Sequence, residues 1–378
     1  MAKEAEVILS PAFVPKGLIV TKYGHGLSLQ YLEQIEAGHP VPDANSVAAT
    51  VKLQEIASQV QPDDLVLFLL SGGASSLLAD VPEGSTLAAV QHLFEALLKS
   101  GADIREMNIV RKHFSAIKGG QLARLLAPAR VCSLILSDVV GDDLSIIGSG
   151  PTVGDPSTFA DCLAILEKYG LSNKINPSLL QHLQKGVEGK IPDTPKPGSN
   201  TLSYAHNYLI GSNAIALTAA EKAAQEAGYT TRQLSSSVTG DADAVAKWLI
   251  DTALEYKGPM PACLLAGGET TVTVTGKGKG GRNQQLALAA GILLENYPQL
   301  TVLSGGTDGN DGPTTAAGAI VNASTIVRAK EQKLDPQAFL RDNDAFNFFS
   351  KAGRLLVTGP TNTNVMDIMI VLITEPGA

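Results

Sequence analysis

Short apolar runs that end in glycine alternate along this chain with stretches of helical periodicity, and this alternation constrains the fold more than any other feature. Leu65–Leu70 runs into Ser71-Gly72-Gly73, Ala262–Ala266 into Gly267-Gly268, and Leu300–Leu303 into Ser304-Gly305-Gly306. A strand covered on both faces reads as such a run, and a glycine turn followed by an amphipathic stretch reads as the step into a helix. The expected class is therefore α/β, with βαβ units and a largely parallel sheet. Further strands are expected at Gly17–Thr21, Val131–Leu136, Tyr208–Ile210, Thr271–Val274, Ala319–Ile320, Leu355–Val357 and Met366–Leu372. Helices are expected over Asn45–Val60, Leu87–Ser100, Ile104–Ile117, Gly120–Ala127, Phe159–Tyr169, Ala214–Ala227, Asp241–Tyr256, Gln284–Asn296 and Asp344–Ala352.

A chain of 378 residues is long enough for two domains. The proline-rich, polar stretch Ile191–Asn200 marks the expected boundary, with one domain over 1–200 and a second over 206–378. A net charge of −8 and 5% aromatic residues argue against a nucleic-acid scaffold or base-stacking platform. Any anion site must then be built from local cations. Cys132, Cys162 and Cys263 lack metal-binding spacing and read as reduced core thiols. No apolar stretch approaches the roughly 18 residues of a membrane span, and the charged, helix-like Met1–Glu6 is no signal peptide. The expected location is cytoplasmic.

Five constellations could carry chemistry. The turn Ser71-Gly72-Gly73 lets backbone amides approach an anion, although a plain tight turn accounts for the same residues. Arg105, Arg111, Lys112, His113, Lys118, Arg124 and Arg130 form a basic segment that reads as an anion site or as a solvated helix face. Asp138, Asp142 and Asp143 follow a buried strand, where open α/β sheets bind ligands; they suit Mg²⁺ or cap a helix. Gly276-Lys277-Gly278-Lys279-Gly280-Gly281 matches Gly-x-Gly-x-x-Gly, so a dinucleotide site must be considered. Its two lysines, however, suit a polyphosphate or charged substrate better. Finally, Asp308 and Asp311 lie three apart in a glycine-dense loop after a strand, able to converge on a cation or a hydroxyl.

Taken in order, these segments resemble the glycerate 2-kinase family of the MOFRL type, some members of which carry a hydroxypyruvate reductase label. The resemblance rests on Ala37–Asp43, Leu70–Ser76, Met107–Ser115 with Ile117–Gly120, Leu136–Thr152, Gly267–Thr270, Gly281–Gln284, Gly306–Gly318 and Asn364–Asp367. It implies a Rossmann-like N-terminal domain, a smaller α/β MOFRL C-terminal domain and a site in the cleft between them. It also implies phosphorylation of D-glycerate to 2-phosphoglycerate with ATP and Mg²⁺. Carried over to this sequence, the catalytic candidates are Arg282, Asp308 and Asp138, and the metal candidates are Asp142 and Asp311. The binding candidates are Ser71, Gly72, Gly73, Arg111, Lys118, Gly119, Glu269, Asn283, Thr307 and Asn364. The expected partners are D-glycerate and a nucleotide, with no nucleic acid and no membrane; a homodimer is left open. The family's usual first strand and Gly-Lys-Ala-Ala turn have no counterpart here, and Met1–Ala5 is expected to start inside the helix after that turn, with Lys3 not replacing its lysine. A sheet edge would be exposed in consequence. The alternatives are an NAD(P)H-dependent hydroxypyruvate reductase and a catalytically impaired ligand-binding homologue.

Overall fold

The computed structural model describes residues 1–9 and 16–375. The chain forms two compact α/β units: Met1–Ile135 with Asp143–Ile210, and Leu136–Asp142 with the chain from Gly211 onward. Ile191–Asn200 lies inside the first unit, where Asp193 and Thr194 bond to neighbouring side chains.

The first unit contains α1 (Ala2–Leu9), β1 (Leu18–Lys22), β2 (Glu33–Ala37), α2 (Ala44–Ala57), β3 (Leu65–Leu70), α3 (Ala74–Leu77), α4 (Leu87–Lys99), α5 (Ile104–His113) and α6 (Gln121–Leu126). It continues with β4 (Arg130–Leu136), α7 (Phe159–Lys168), α8 (Pro177–Val187) and β5 (Ala205–Gly211). Strands β1 and β2 pair in parallel, as do β3 and β4 within the sheet β3-β4-β5. Leu93, Leu97, Val110, Phe114, Phe159, Leu166, Leu179 and Leu183 build a helical core. Helix α5 begins at a reciprocal cap between Asp103 and Glu106, which satisfies amides that the first turn leaves open.

The second unit contains α9 (Asn213–Glu226), β6 (Thr230–Asp241), α10 (Ala242–Leu254), β7 (Ala262–Thr271), α11 (Arg282–Leu293), β8 (Leu300–Gly306) and β9 (Gly318–Asn322). It ends with α12 (Ala323–Glu331), α13 (Pro336–Arg341), α14 (Ala345–Ala352), β10 (Leu355–Leu356) and β11 (Asp367–Ile373). Its sheet runs β10-β9-β8-β11-β7-β6. Only β6 and β7 are parallel; β11 is antiparallel to both β7 and β8, and β8–β9 and β9–β10 are antiparallel too. The largely parallel sheet expected from the alternation therefore does not hold here, because β11 returns from the chain end to insert between β7 and β8. Helix α11 is buried along nearly its whole length, its Leu286, Ala287, Leu288 and Ala290 packing with Leu264, Val302, Val321, Phe348 and Val371.

One expected turn proves to be strand interior, while the other sits at a strand end as expected. Strand β7 runs unbroken through Gly267 and Gly268, whereas β8 ends at Gly306. At Gly268, which has φ 145°, a Cβ would collide with the backbone of Val238 on β6. Gly268 is there for close approach of the neighbouring strand's backbone, not to end β7.

Candidate active site

In the second unit, the sheet and the start of α11 bring an arginine among carboxylates. Arg282, the first residue of α11, donates through Nε to Asp367 Oδ2 (2.6 Å) and through Nη2 to Asp367 Oδ1 (3.1 Å). Its Nη1 donates to Glu269 Oε1 (2.7 Å). The Asp367 side chain is fully buried at the head of β11, while that of Arg282 is 34% exposed. Burial disfavours the cationic guanidinium, but the hydrogen bond and charge of Asp367, with the charge of Glu269, outweigh it and raise the Arg282 pKa. Burial raises the Glu269 pKa; Arg282 opposes the shift, and the charges of Asp367 and Asp138 add to it. Asp138, Glu269, Arg282 and Asp367 thus form one electrostatic group. A guanidinium has five N–H donors, of which three are used in these bonds, leaving two that could meet an oxyanion.

Asp311, expected to hold metal, is buried at the N-terminus of α11. Its Oδ1 accepts from Asn283 N (3.1 Å) and its Oδ2 from Gln284 N (2.8 Å). It therefore does the work of an N-cap, which Gly281, having no side chain, cannot do. Burial raises its pKa against these two hydrogen bonds. Asn283 accepts from Ser304 Oγ (2.6 Å), and Asp308 Oδ1 accepts from Asn310 N (2.9 Å). Thr307 Oγ1 donates to Met366 O (2.7 Å) and accepts from Val365 N (2.8 Å), while Asn364 Oδ1 accepts from Met366 N (3.0 Å). Thr307 and Asn364 thus shape the turn that precedes Asp367.

The loop with dinucleotide spacing is already filled. Asn343 Oδ1 accepts from Thr275 N and Gly276 N (both 2.9 Å), Asp342 Oδ1 from Lys277 N (2.9 Å) and Asp344 Oδ1 from Lys279 N (2.8 Å). Gly278 N donates to Asp342 O (2.8 Å). Cβ atoms on Gly276 or Gly278 would collide with this same turn. The Lys279 ammonium lies 4.8 Å from the centre of the Phe346 ring, a cation–π contact within the unit. The glycines admit the chain's own acidic turn where a pyrophosphate would otherwise sit.

In the first unit, four of the expected segments meet. Ser75 and Ser149 hydroxyls lie 2.6 Å apart, Ser149 Oγ donates to Asn108 Oδ1 (3.1 Å), and Arg111 Nη1 donates to the same oxygen (2.7 Å). Gly148, Ser149 and Gly150 are consecutive left-handed residues (φ 57°, 62° and 61°), held by amides of Gly119 to Ser149 O (2.9 Å) and of Gly120 to Gly150 O (2.8 Å). Ser149 is a non-glycine residue in this conformation, a strain that persists only where its surroundings enforce it. Lys118 is 3% exposed, donates to Leu78 O and lies 4.0 Å from Asp80. Burial lowers its pKa to about 8, with Asp80 opposing and Arg111 adding to the shift. The Arg111 guanidinium lies 4.9 Å from the centre of the Phe94 ring. Ser71-Gly72-Gly73 adjoins this group, with Gly73 at φ 84° against the His39 ring. Helix α3 beyond it has only four residues, so any anion there would be held by turn amides rather than by a long helix dipole.

Comparison with known proteins fits both units. The description "Domain of unknown function (DUF4147)" matches residues 1–184, and "MOFRL family" matches residues 262–367. A D-glycerate 2-kinase from Thermotoga maritima is 44% identical, covering 99% of this chain and 88% of that protein. The chain belongs to the glycerate 2-kinase family. A crystal structure of the glycerate kinase from Thermotoga maritima superposes with a TM-score of 0.92 at 43% identity, covering 99% of this chain and 88% of that one. A protein from Agrobacterium vitis labelled as a hydroxypyruvate reductase is 41% identical, covering 94% of this chain and 81% of its own length.

The MOFRL match contains Glu269, Arg282, Asp308, Asp311 and Asp367, and the other match contains Arg111, Lys118 and Ser149. Among the described residues, no three acidic, histidine or cysteine side chains are grouped to hold a metal. Mg²⁺ commonly takes only one or two carboxylates, with water and phosphate completing its shell. Asp142, left-handed at φ 54°, has a buried Oδ1 without a hydrogen-bond partner and fits that role. No helix among the described residues is long and apolar enough to cross a membrane. Sequence reasoning did not single out Asp367, Asn108, Ser75 and Ser149, which the structure joins to the candidate residues. All four lie within quoted segments; Asp367 sits inside the strand expected at Met366–Leu372, where an acid among apolar residues was the available signal.

Proposed function

We propose that this chain transfers the γ-phosphoryl group of ATP, with Mg²⁺, to the 2-hydroxyl of D-glycerate. The observation that carries this reading is Arg282, a guanidinium oriented by Asp367 and Glu269 with two donors left over, in a chain of the glycerate 2-kinase family. Phosphoryl transfer asks a protein mostly for placement and charge neutralisation. Arg282 supplies both, since a fork fixed before the reaction needs no reorganisation as charge develops. Asp138 and Asp308 are the carboxylates offered as acceptors of the hydroxyl proton. Whichever Asn variant loses more kcat identifies the base. Asp142 would hold Mg²⁺, which neutralises phosphate charge when bound.

In the first unit, Arg111 and Lys118 would meet phosphate or carboxylate oxygens. Ser71, Gly72, Gly73 and Gly119 would offer backbone contacts. In the second, Asn283, Thr307 and Asn364 hold the loops around Arg282 and Asp367. The hydride-transfer reading loses its sequence support, because the amides of its glycine loop already bond Asp342, Asn343 and Asp344. Incubation with D-glycerate and Mg-ATP, followed by phosphorus NMR, tests the proposal. The 2-phosphoglycerate resonance is expected; its absence from folded protein, or the 3-phosphate in its place, would reject it. A parallel titration with NADH is expected to show no binding.

A further inference from the structure

Asp367 can orient Arg282 only if the backbone before it is held in place, and that backbone is strained. Met366 has φ 69°, a left-handed conformation that is strained for a non-glycine residue. Nearly every polar backbone group of this turn is gripped by a side chain or backbone group of the second unit. Thr307 takes Val365 N and Met366 O, and Asn364 takes Met366 N. The two remaining carbonyls, on either side of Met366, both accept from one group: Asn213 Nδ2 donates to Val365 O (2.9 Å) and to Asp367 O (2.8 Å).

Asn213 is the first residue of α9, 1% exposed, and held there by the Ser212 cap. Its amide orientation is fixed by chemistry, since two carbonyls demand the NH₂ group. Oδ1 then points away, buried and without a hydrogen-bond partner, against Gly267 of β7, where a Cβ would collide with it. One side chain therefore sits between three elements: the start of α9, the interior of β7 and the turn into β11. An orphaned buried oxygen costs free energy, against which the two hydrogen bonds made by the other half of the amide stand.

We infer that Asn213 is a positioning residue for Arg282: by bridging the carbonyls around Met366 it keeps the left-handed turn, and so the angle at which Asp367 presents its carboxylate to the guanidinium. This rests on the reading of Arg282 as the residue that meets the transferred group. It adds a residue from outside the MOFRL match, which begins at residue 262.

The test is a mutant cycle with a spectroscopic arm. Asn213→Ala is expected to lower kcat/KM for glycerate about tenfold in the wild-type background. It should lower it less than twofold in an Arg282→Ala background, because a group that acts through Arg282 has nothing left to position. An equal loss in both backgrounds would overturn the inference, since a general structural defect acts on either. In protein labelled with ¹⁵N-arginine, the Nε–H resonance of Arg282, assigned by its disappearance in Arg282→Ala, is expected to shift and exchange faster with water in Asn213→Ala. An unchanged resonance would also overturn it. Should Asn213→Ala fail to fold, Asn213→Ser leaves a hydroxyl in the same space and is expected to give the same pattern in smaller measure. If the wild type phosphorylates no glycerate, the functional reading fails, and the resonance alone still judges the positioning role.

Discussion

Two arginines, Arg282 and Arg111, sit in opposite electrostatic settings. Arg282 is fixed by Asp367 and Glu269, with Asp138 acting on the same group, so its surroundings carry more negative than positive charge. Arg111 donates to the neutral Asn108, rests on Phe94 and shares its neighbourhood with Lys118, with Asp80 as the balancing acid. A paired guanidinium is an oriented donor in a site that can also take a cation or a proton. An unpaired one is a standing attraction for anions. Under the proposed function, the difference would separate a residue suited to the moment of transfer from one suited to holding a ligand.

The sharpest way to break this contrast is at Arg282. Arg282→Ala should lower kcat/KM by roughly 100-fold or more, a few kcal/mol, and Arg282→Lys should recover little because an ammonium cannot reproduce the fork. Near-wild-type kinetics in either variant would remove Arg282 from the chemistry.

Lys118 gives the next largest effect, seen in stability. Its folded pKa of about 8 lies below the ordinary 10.5. Between those values the unfolded chain holds a proton that the folded one has released, so stability rises with pH across that window. Below about 8 both forms are charged, and the full cost of the buried ammonium is present. The change is at most about 3 kcal/mol across the window. Urea unfolding of the wild type should therefore gain stability from pH 7.5 to 9.5 relative to Lys118→Met. Parallel curves for the two proteins would contradict a buried, strained ammonium.

Arg111→Ala should raise the KM of one substrate about tenfold, near 1.4 kcal/mol, with kcat changed by no more than a few fold. A loss concentrated in kcat would make the two arginines alike in function. The smallest effect is expected at Asp311. Asp311→Ala should cost about 1 kcal/mol in denaturant unfolding, as the loss of a helix cap does. If magnesium dependence changed as well, Asp311 would have to be counted with the metal ligands.

The α/β class and most helices were legible in the sequence because apolar runs and helical periodicity are local signals. Strand β3 falls on the expected residues, and α4 and α7 end one residue short of their expected limits. What escaped was decided elsewhere in the chain. Strand β6 is rich in serine and threonine and has no apolar alternation, since it lies at the sheet edge beside β7. Helices α8, α12 and α13 carry their start signals (Asn176-Pro177, Asn322 with Thr325, Asp335-Pro336) but little else that stands out. The antiparallel insertion of β11 could not be read from any local pattern. For the site, the glycine turns and Arg282 were visible, whereas Asp367 and Asn213 matter only through partners dozens of residues away.

The Gly276–Gly281 loop carries a wider lesson about spelling and use. The donors that would greet a diphosphate in another protein are here committed to Asp342, Asn343 and Asp344. A search keyed to glycine spacing would file this chain among the dehydrogenases on the strength of an architectural seam. The seam also ties the entry to α11 to the turn before α14, so substitutions at residues 342–344 should register in folding before they register in any ligand.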